Sequence, residues 1–214
     1  TRADDSTYTA WDVSKGTNFM GMFKDATSFI RNISSWDVSS GTNFNNMFEG
    51  ATAFNADISA KEVTRADGTT YTAWDVSSGT DFSNMFYYTT SFNADISGWD
   101  TSKATNFSGM FEGATAFNQY IKFWIVKQSA TISGMFKGAT KMLARGFDAT
   151  PTHDDFNQTR VTHNNIREAV NDWLTDQSSA ETKYDPISQW NVSEVTDFSN
   201  LFAGATSFNA DISG

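Results

Sequence analysis

Apolar residues return along this chain with a fixed rhythm. Phe19, Met22 and Phe23 stand at i, i+3 and i+4. The same triplet recurs as Phe44, Met47 and Phe48, Phe82, Met85 and Phe86, Phe107, Met110 and Phe111, Ile132, Met135 and Phe136, and Phe198, Leu201 and Phe202. That spacing predicts one or two turns of helix, with Gly50, Gly113, Gly138 and Gly204 just after it as stops. Further on, Phe54-Asn55-Ala56-Asp57-Ile58-Ser59-Ala60 alternates apolar and polar and predicts a short strand.

Tryptophan fixes the period. Trp-Asp-Val-Ser stands at 11–14, 36–39 and 74–77, Trp99-Asp100-Thr101-Ser102 and Trp190-Asn191-Val192-Ser193 follow, and Trp124-Ile125-Val126-Lys127 fills the same slot in weaker form. Trp11 to Trp36, Trp74 to Trp99 and Trp99 to Trp124 are each 25 residues, whereas Trp36 to Trp74 is 38, an insertion of 13. Residues 64–74 nearly duplicate residues 1–11, so a shift of 63 superposes a larger unit of two repeats and one insertion. Lys61-Glu62-Val63 falls where the next Trp-Asp-Val is due. A 25-residue unit is too small to bury its own Trp, Phe, Met and Ile, so stacked units have to bury them in continuous columns. The expected fold is an α/β repeat solenoid, leucine-rich-repeat-like, with one short strand and one short helical turn per repeat.

After Met142-Leu143 the pattern stops. Pro151-Thr152-His153-Asp154-Asp155 reads as a polar linker, and Ile166, Ala169, Val170, Trp173 and Leu174 then mark one face of an amphipathic helix with Thr162 as its N-cap. The expected organisation is a first array over 1–147 with five full repeats and the insertion, a linker and capping helix over 148–186, and the first repeat of a second array over 187–214.

Composition narrows the function. Nineteen Phe and seven Trp supply a core, which a disordered chain lacks. A net charge of −10 argues against nucleic acid and anionic membrane surfaces as partners, and no apolar run is long enough to cross a bilayer. Without cysteine there is no disulfide framework, thiolate metal site or thiol nucleophile. The opening Thr1-Arg2-Ala3-Asp4, with no Met or apolar leader, reads as a processed form or a piece of something longer.

The pattern W-D-x-S-x-x-T-N/D-F-x-x-M-F-x-G-A-T-x-F-N-x-D-I-S, covering roughly 9–143 and 187–214, resembles the BspA-type surface-protein repeat (DUF285), also found in mycoplasma lipoproteins and in protist and algal proteins. The resemblance implies a leucine-rich-repeat-like solenoid displayed on cell surfaces, with adhesion as its usual role and no particular ligand. In that family a helix followed by Tyr-x-x-Ile-x-x-Trp commonly opens an array, as Tyr184, Ile187 and Trp190 do here. Members often carry Cys where this chain has Ala51, Ala114 and Ala139. Tyr120-Ile121-Lys122 and Trp124-Ile125-Val126 depart from the pattern and predict an irregular turn.

Candidate chemistry is sparse. His153 and His163 are the only histidines, and with Asp154-Asp155 they read as solvated polar groups; no triad, phosphate loop or zinc spacing is present, so no enzyme is expected. Asp12, Asp37, Asp75 and Asp100 form a column that stacking could turn into calcium ligands, and Asp57, Asp95 and Asp211 form another. The competing reading is that an Asp after Trp caps its own turn, and no calcium-loop sequence is present. Thr17, Thr42, Thr80, Thr105 and Thr196, and Thr27, Thr52, Thr90, Thr115, Thr140 and Thr206, are columns that could bind ice or glycan, or complete backbone hydrogen bonds. Of four sequons, at Asn32, Asn106, Asn157 and Asn191, Asn157 in the linker is the glycosylation candidate. The expectation is an extracellular or cell-surface structural or adhesive protein without a cofactor, whose ends stack on copies of itself or on further repeats. The alternative is a calcium-dependent or glycan-binding recognition module, whose partner is a surface protein or glycan.

Overall fold

Alternate backbone amides of each 25-residue segment donate to carbonyls of the next. Phe19, Gly21, Phe23 and Asp25 donate to Asn43, Asn45, Met47 and Glu49 at 2.7–2.9 Å. Phe44, Asn46, Phe48 and Gly50 repeat the set against Asp81, Ser83, Met85 and Tyr87, and two further sets reach Thr131, Ser133, Met135 and Lys137. The computed structural model describes residues 11–156, 158–159, 161–190, 192–193 and 195–212, in two units, Thr1–Phe156 and Asn157–Gly214. It is a small mixed α/β chain: β1 (Lys61–Thr64) and β2 (Thr70–Ala73) form a two-stranded antiparallel sheet, and the helices are α1 (Thr140–Ala144), α2 (Ile166–Thr175) and α3 (Gln177–Tyr184).

The predicted helical turn at the Phe-Met-Phe triplet does not form. Met22, Lys24 and Ala26 donate back three residues, to Phe19, Gly21 and Phe23, while the residues between them donate to the next segment, which leaves no amide for an i→i−4 bond. The backbone turns by positive φ at two positions four apart: Gly21 and Asp25, Asn46 and Gly50, Asn84 and Tyr88, Gly109 and Gly113, Gly134 and Gly138, Asn200 and Gly204. A turn with positive φ at its third residue selects Gly, Asn or Asp there, so the glycines read as helix stops are turn residues. Tyr88 is the one bulky side chain in that set.

The predicted strand over 54–60 is also absent. Phe54 donates back to Ala51, the Ser59 amide donates to Asp57 Oδ1 two residues earlier, and Asn55 Oδ1 accepts from the Asn93 amide at 2.7 Å. Side chains there meet the backbone demand that a ladder would have met. Outside the β1–β2 hairpin, strand character among the described residues is confined to isolated parallel bridges along Asn18, Asn43, Asp81, Asn106 and Thr131, each one residue deep.

Aromatic columns fill the space behind these bonds. Phe19, Phe44, Phe82 and Phe107 stack at 5.3–5.8 Å, as do Phe23, Phe48, Phe86, Phe111 and Phe136 at 5.4–5.8 Å. Within a segment the second column meets a third, as where Phe86 lies 3.9 Å from Phe92. Each buried phenylalanine contributes about 1.5–3 kcal/mol by leaving water, so these columns dominate the first unit's stability. Trp74, Trp99 and Trp124 stack at 6.2 Å. The turn predicted to be irregular keeps this packing, since Ile121, Trp124 and Val126 are all buried.

The 13-residue insertion is extruded as the β1–β2 hairpin, and Lys61-Glu62-Val63 does not occupy the tryptophan slot. Trp74 does: its amide donates to the Trp36 carbonyl at 3.0 Å. Arg65 anchors the hairpin, pairing with Asp37 at 2.7 Å and lying 4.1 Å over the Tyr71 ring, while the Tyr71 hydroxyl donates to the Ser35 carbonyl.

Residues 140–156 close the far end of the first unit. Phe136 donates to the Ala149 carbonyl and Gly134 to the Thr150 hydroxyl, while Phe147 and Phe156 cover the Phe136 ring. Residues 151–156 of the expected linker therefore pack here, with Phe156 buried.

In the second unit, α2 buries Ile166, Ala169, Val170 and Trp173 as the periodicity predicts, although Leu174 faces outward. Its N-cap is Asn165 and not Thr162; the Asn165 carboxamide instead accepts from the Thr162 amide and hydroxyl. α3 was not predicted, because its buried positions are only Ala180 and Tyr184 and it has no apolar stripe. Trp190, Leu201, Phe202 and Phe208 of the last repeat pack against the α2 core, with Trp173 edge-on to Phe208 at 5.3 Å.

Candidate binding surfaces

Each aspartate of the tryptophan-linked column caps its own turn. Asp12, Asp37, Asp75 and Asp100 accept, through Oδ1, from the amides of Ser14, Ser39, Ser77 and Ser102 at 2.9–3.3 Å. Hydrogen bonds from the Ser14 and Ser102 side chains and amides hold Asp12 and Asp100 below the usual carboxylate range. Asp37 spends its second oxygen on Arg65. Asp57 and Asp95 of the other column cap the turns at Ser59 and Ser97 in the same way. Among the described residues no group of three or more His, Cys, Asp or Glu is gathered that could hold a metal ion.

Two of the four aspartates nonetheless share a cavity. Asp75 and Asp100 line one cavity of about 330 Å³ beside the hairpin, together with Thr72, Trp74, Ser77 and Gly98. The insertion forms one wall of this site.

The threonine columns complete backbone bonds. Thr42, Thr80 and Thr105 each send both amide and hydroxyl to the carbonyl of the threonine one repeat earlier, at 2.8–3.1 Å. In the second column Thr52, Thr90, Thr115 and Thr140 reach back by hydroxyl at 3.4–3.5 Å. The hydroxyl protons point along the stack, not outward.

The histidines serve as ties. His153 Nε2 lies 3.0 Å from the Ala130 carbonyl, and His163 Nδ1 accepts from the Thr196 amide. Asp155 accepts from the Thr152 amide and hydroxyl, so the Asp154-Asp155 pair belongs to a short 3-10 turn. Asn32 and Asn106 hold their own turns through Oδ1, while Asn157 and Asn191 lie outside the described residues.

The sequence reading missed a polar cluster on the second unit. Lys183 bridges Glu168 at 3.0 Å and Asp172 at 2.9 Å, and the Tyr184 hydroxyl reaches Asp172 at 3.1 Å. The Tyr184 hydroxyl and the two carboxylates raise the Lys183 ammonium above its ordinary value. Nearby Asp185 is buried, with positive φ, and burial pushes its carboxyl up to about 6. α2 and the last repeat also enclose an apolar cavity of about 320 Å³, lined by Ile166, Val170, Trp190 and Phe202 and reaching the exposed Phe198 and Ile212.

Two ring positions of the repeat are exposed where their counterparts are buried. At the opening edge Trp11 is 74% exposed, whereas Trp74, its counterpart 63 residues on, is fully buried. At the last repeat Phe198 is 49% exposed, whereas Phe107 in the same phase is fully buried.

A family model described as "Mycoplasma protein of unknown function, DUF285" matches residues 3–72, 61–173 and 153–214. No curated protein and no solved structure matches the chain.

Proposed function

The chain belongs to the DUF285 family, and from that premise we propose that it is a non-catalytic structural or adhesive repeat protein of the cell exterior, built as a leucine-rich-repeat-like solenoid. The observation that supports this reading is the direction of its bonding. Alternate backbone amides donate forward to the next repeat, and threonine hydroxyls and indole N–H groups donate back to an earlier one. A repeat whose polar groups serve its neighbours holds a long scaffold and leaves its outer side chains free to vary. The aspartates, histidines and threonines that could have carried chemistry are tied into turns and stacks. The family's description assigns no enzymatic activity.

The test is attachment. Beads coated with the full chain are scored for retention on cell monolayers and on arrays of extracellular proteins and glycans. Saturable retention, competed by the soluble chain, supports adhesion. Retention no better than that of an inert protein of equal charge overturns it.

The cavity beside the hairpin favours a second reading, a calcium-dependent or glycan-binding recognition module. Two carboxylates, two hydroxyl side chains and an indole line one hollow there, a mixture suited to a cation or a sugar ring. Under this reading retention disappears in a chelator or in free sugar, and Asp75→Asn with Asp100→Asn abolishes it.

A further inference from the structure

We infer that the exposed turn at Tyr87 and Tyr88, in the middle of the first unit, is a stacking site for a neutral sugar ring; the inference rests on the recognition role proposed above and places it away from the hairpin cavity.

This turn is an exception among its counterparts. Lys24-Asp25-Ala26, Glu49-Gly50-Ala51, Glu112-Gly113-Ala114, Lys137-Gly138-Ala139 and Ala203-Gly204-Ala205 share one pattern, with Gly or Asp in the middle and Ala last. Tyr87-Tyr88-Thr89 departs at all three positions. Tyr88 holds φ +52, where glycine is at ease, and a bulky residue stays there only if its surroundings over-determine it. They do so here. The Tyr88 amide donates to the Glu112 carbonyl at 2.7 Å, and the Tyr87 carbonyl accepts from the Gly50 amide at 2.8 Å. The buried Thr89 hydroxyl donates to the Phe48 carbonyl at 2.7 Å. Phe86, the residue before Tyr87, is the middle ring of a five-ring column, so stacked repeats flank the turn on both sides.

Strain kept at one exposed position, with no core to serve, points to recognition. The ring itself has the geometry of a platform. A Cβ built on Gly113 would stand 3.0–3.1 Å from Cγ, Cδ1 and Cδ2 of Tyr88 alike, so Gly113 backs one face of the ring. Tyr88 is 51% exposed, which leaves the opposite face to solvent. The Tyr87 ring lies 4.7 Å away, tilted by 58°, and forms a side wall. Tyrosine gives a rigid contact of this kind at low entropic cost.

The charges around the rings select the occupant. Lys24, Glu49, Tyr87, Glu112 and Lys137 occupy one phase of successive repeats. Lys24 pairs with Glu49 at 3.0 Å and Lys137 with Glu112 at 2.8 Å. The lysines disfavour a cation over the tyrosines, and the glutamates disfavour an anion. Each ion pair uses one carboxylate oxygen, and Glu49 Oε1 and Glu112 Oε2 have no donor among the described residues. A partner's aromatic ring would stack but leave those oxygens unmet. A pyranose meets both demands: its C–H groups face the electron-rich Tyr88 ring, and its hydroxyls donate to the flanking carboxylates.

Ligand-observed NMR titrations of the full chain with neutral tetrasaccharides of glucose, mannose, galactose and xylose test the assignment. At least one is expected to bind with a millimolar dissociation constant. Tyr88→Asn weakens binding about tenfold or more while its relaxed backbone raises the unfolding midpoint, so the loss is not one of folding. Tyr88→Phe keeps the platform and binds within about threefold of the native chain. Asp75→Asn with Asp100→Asn leaves this binding unchanged. Silence from all the sugars at about 10 mM, some tenfold above a millimolar constant, overturns the proposal, as does a Tyr88→Asn chain that binds like the native one. Binding lost in the aspartate double variant and kept in Tyr88→Asn also overturns it, and moves the sugar to the hairpin cavity. The broader recognition role is decided separately, by retention of coated beads on extracellular proteins.

Discussion

The indole N–H of Trp99 donates to the carbonyl of Ile58 at 3.0 Å, across 41 residues of sequence and the whole inserted hairpin. Trp74 makes the same bond to Ile33, and Trp124 makes it to Ile96. The indole nitrogen thus matters as well as the bulk: the Ile58 carbonyl has no backbone donor among the described residues, whereas those of Ile33 and Ile96 also accept from the Trp36 and Trp99 amides.

Trp99→Phe therefore removes a buried donor, strands the Ile58 carbonyl and opens space beside Trp74 and Trp124. The combined cost is about 2–4 kcal/mol. Trp11→Phe, at an exposed position, costs less than about 0.5 kcal/mol. Urea midpoints of the two variants check the contrast, and equal midpoints would show that the indole nitrogen contributes nothing.

Tyr88 occupies a left-handed position, φ +52, where other repeats place Gly50, Gly113 or Gly138. A bulky residue there bears about 1–2 kcal/mol of strain. Its ring lies 3.0 Å from where a Cβ on Gly113 would sit, and Gly113 itself has φ +71. Tyr88→Asn, which tolerates that conformation, is expected to raise the unfolding midpoint. Gly113→Ala lowers it, and by more in the native chain than in the Tyr88→Asn chain. The difference, about 0.5 kcal/mol or larger, is read from a double-mutant cycle; simple additivity would mean that the ring yields freely.

Much of this was legible in the sequence, and the misses have physical causes. Phase and period identified the core correctly, because Phe44, Met47, Phe48, Phe54 and Ile58 are all fully buried. The local conformations at those positions went wrong because i, i+3, i+4 spacing suits a succession of tight turns as well as a helix. Only the recurrence of Gly, Asn or Asp at two sites four residues apart, such as Asn46 and Gly50, distinguishes them. The turn-capping roles of Asp12 and Asp37 were legible from Asp two residues before Ser. The cavity shared by Asp75 and Asp100 was not, since it depends on how the hairpin folds back.

Two carboxylates, one in each unit, respond to acid in opposite directions. Burial works to raise Asp57, but hydrogen bonds from Lys61 and Ser59 outweigh it and hold the carboxyl near 2. Its contribution to the first unit is present above pH 4 and is lost as pH falls toward 2. Asp185 is the reverse: with a folded value of about 6 against 3.8, the folded chain holds the extra proton between those values, so its contribution to stability falls as pH rises from 4 to 6. Asp185→Asn, which keeps the left-handed backbone comfortable, is expected to stabilise the second unit at pH 7 by about 2 kcal/mol. It also flattens that slope. Exchange rates of the Ala169 and Val170 amides in α2 report it, and an unchanged slope in the variant assigns the titration elsewhere.

Calcium offers the sharpest separation of the two functional readings. A site occupied at one hundred times its dissociation constant adds about 2.7 kcal/mol. For a chain of this size that moves the thermal midpoint by roughly 5–10 °C. Under the scaffold reading the four aspartates are already committed to Ser14, Ser39, Ser77 and Ser102, and Asp37 also to Arg65. Millimolar calcium and millimolar chelator should then give midpoints within about 1 °C of each other, the scale of a few tenths of a kcal/mol. A rise with calcium that survives in Asp12→Asn but vanishes in Asp75→Asn would place the ion beside the hairpin, where Asp75 and Asp100 share a cavity. It would also turn the insertion from a decoration of the stack into the wall of a binding site.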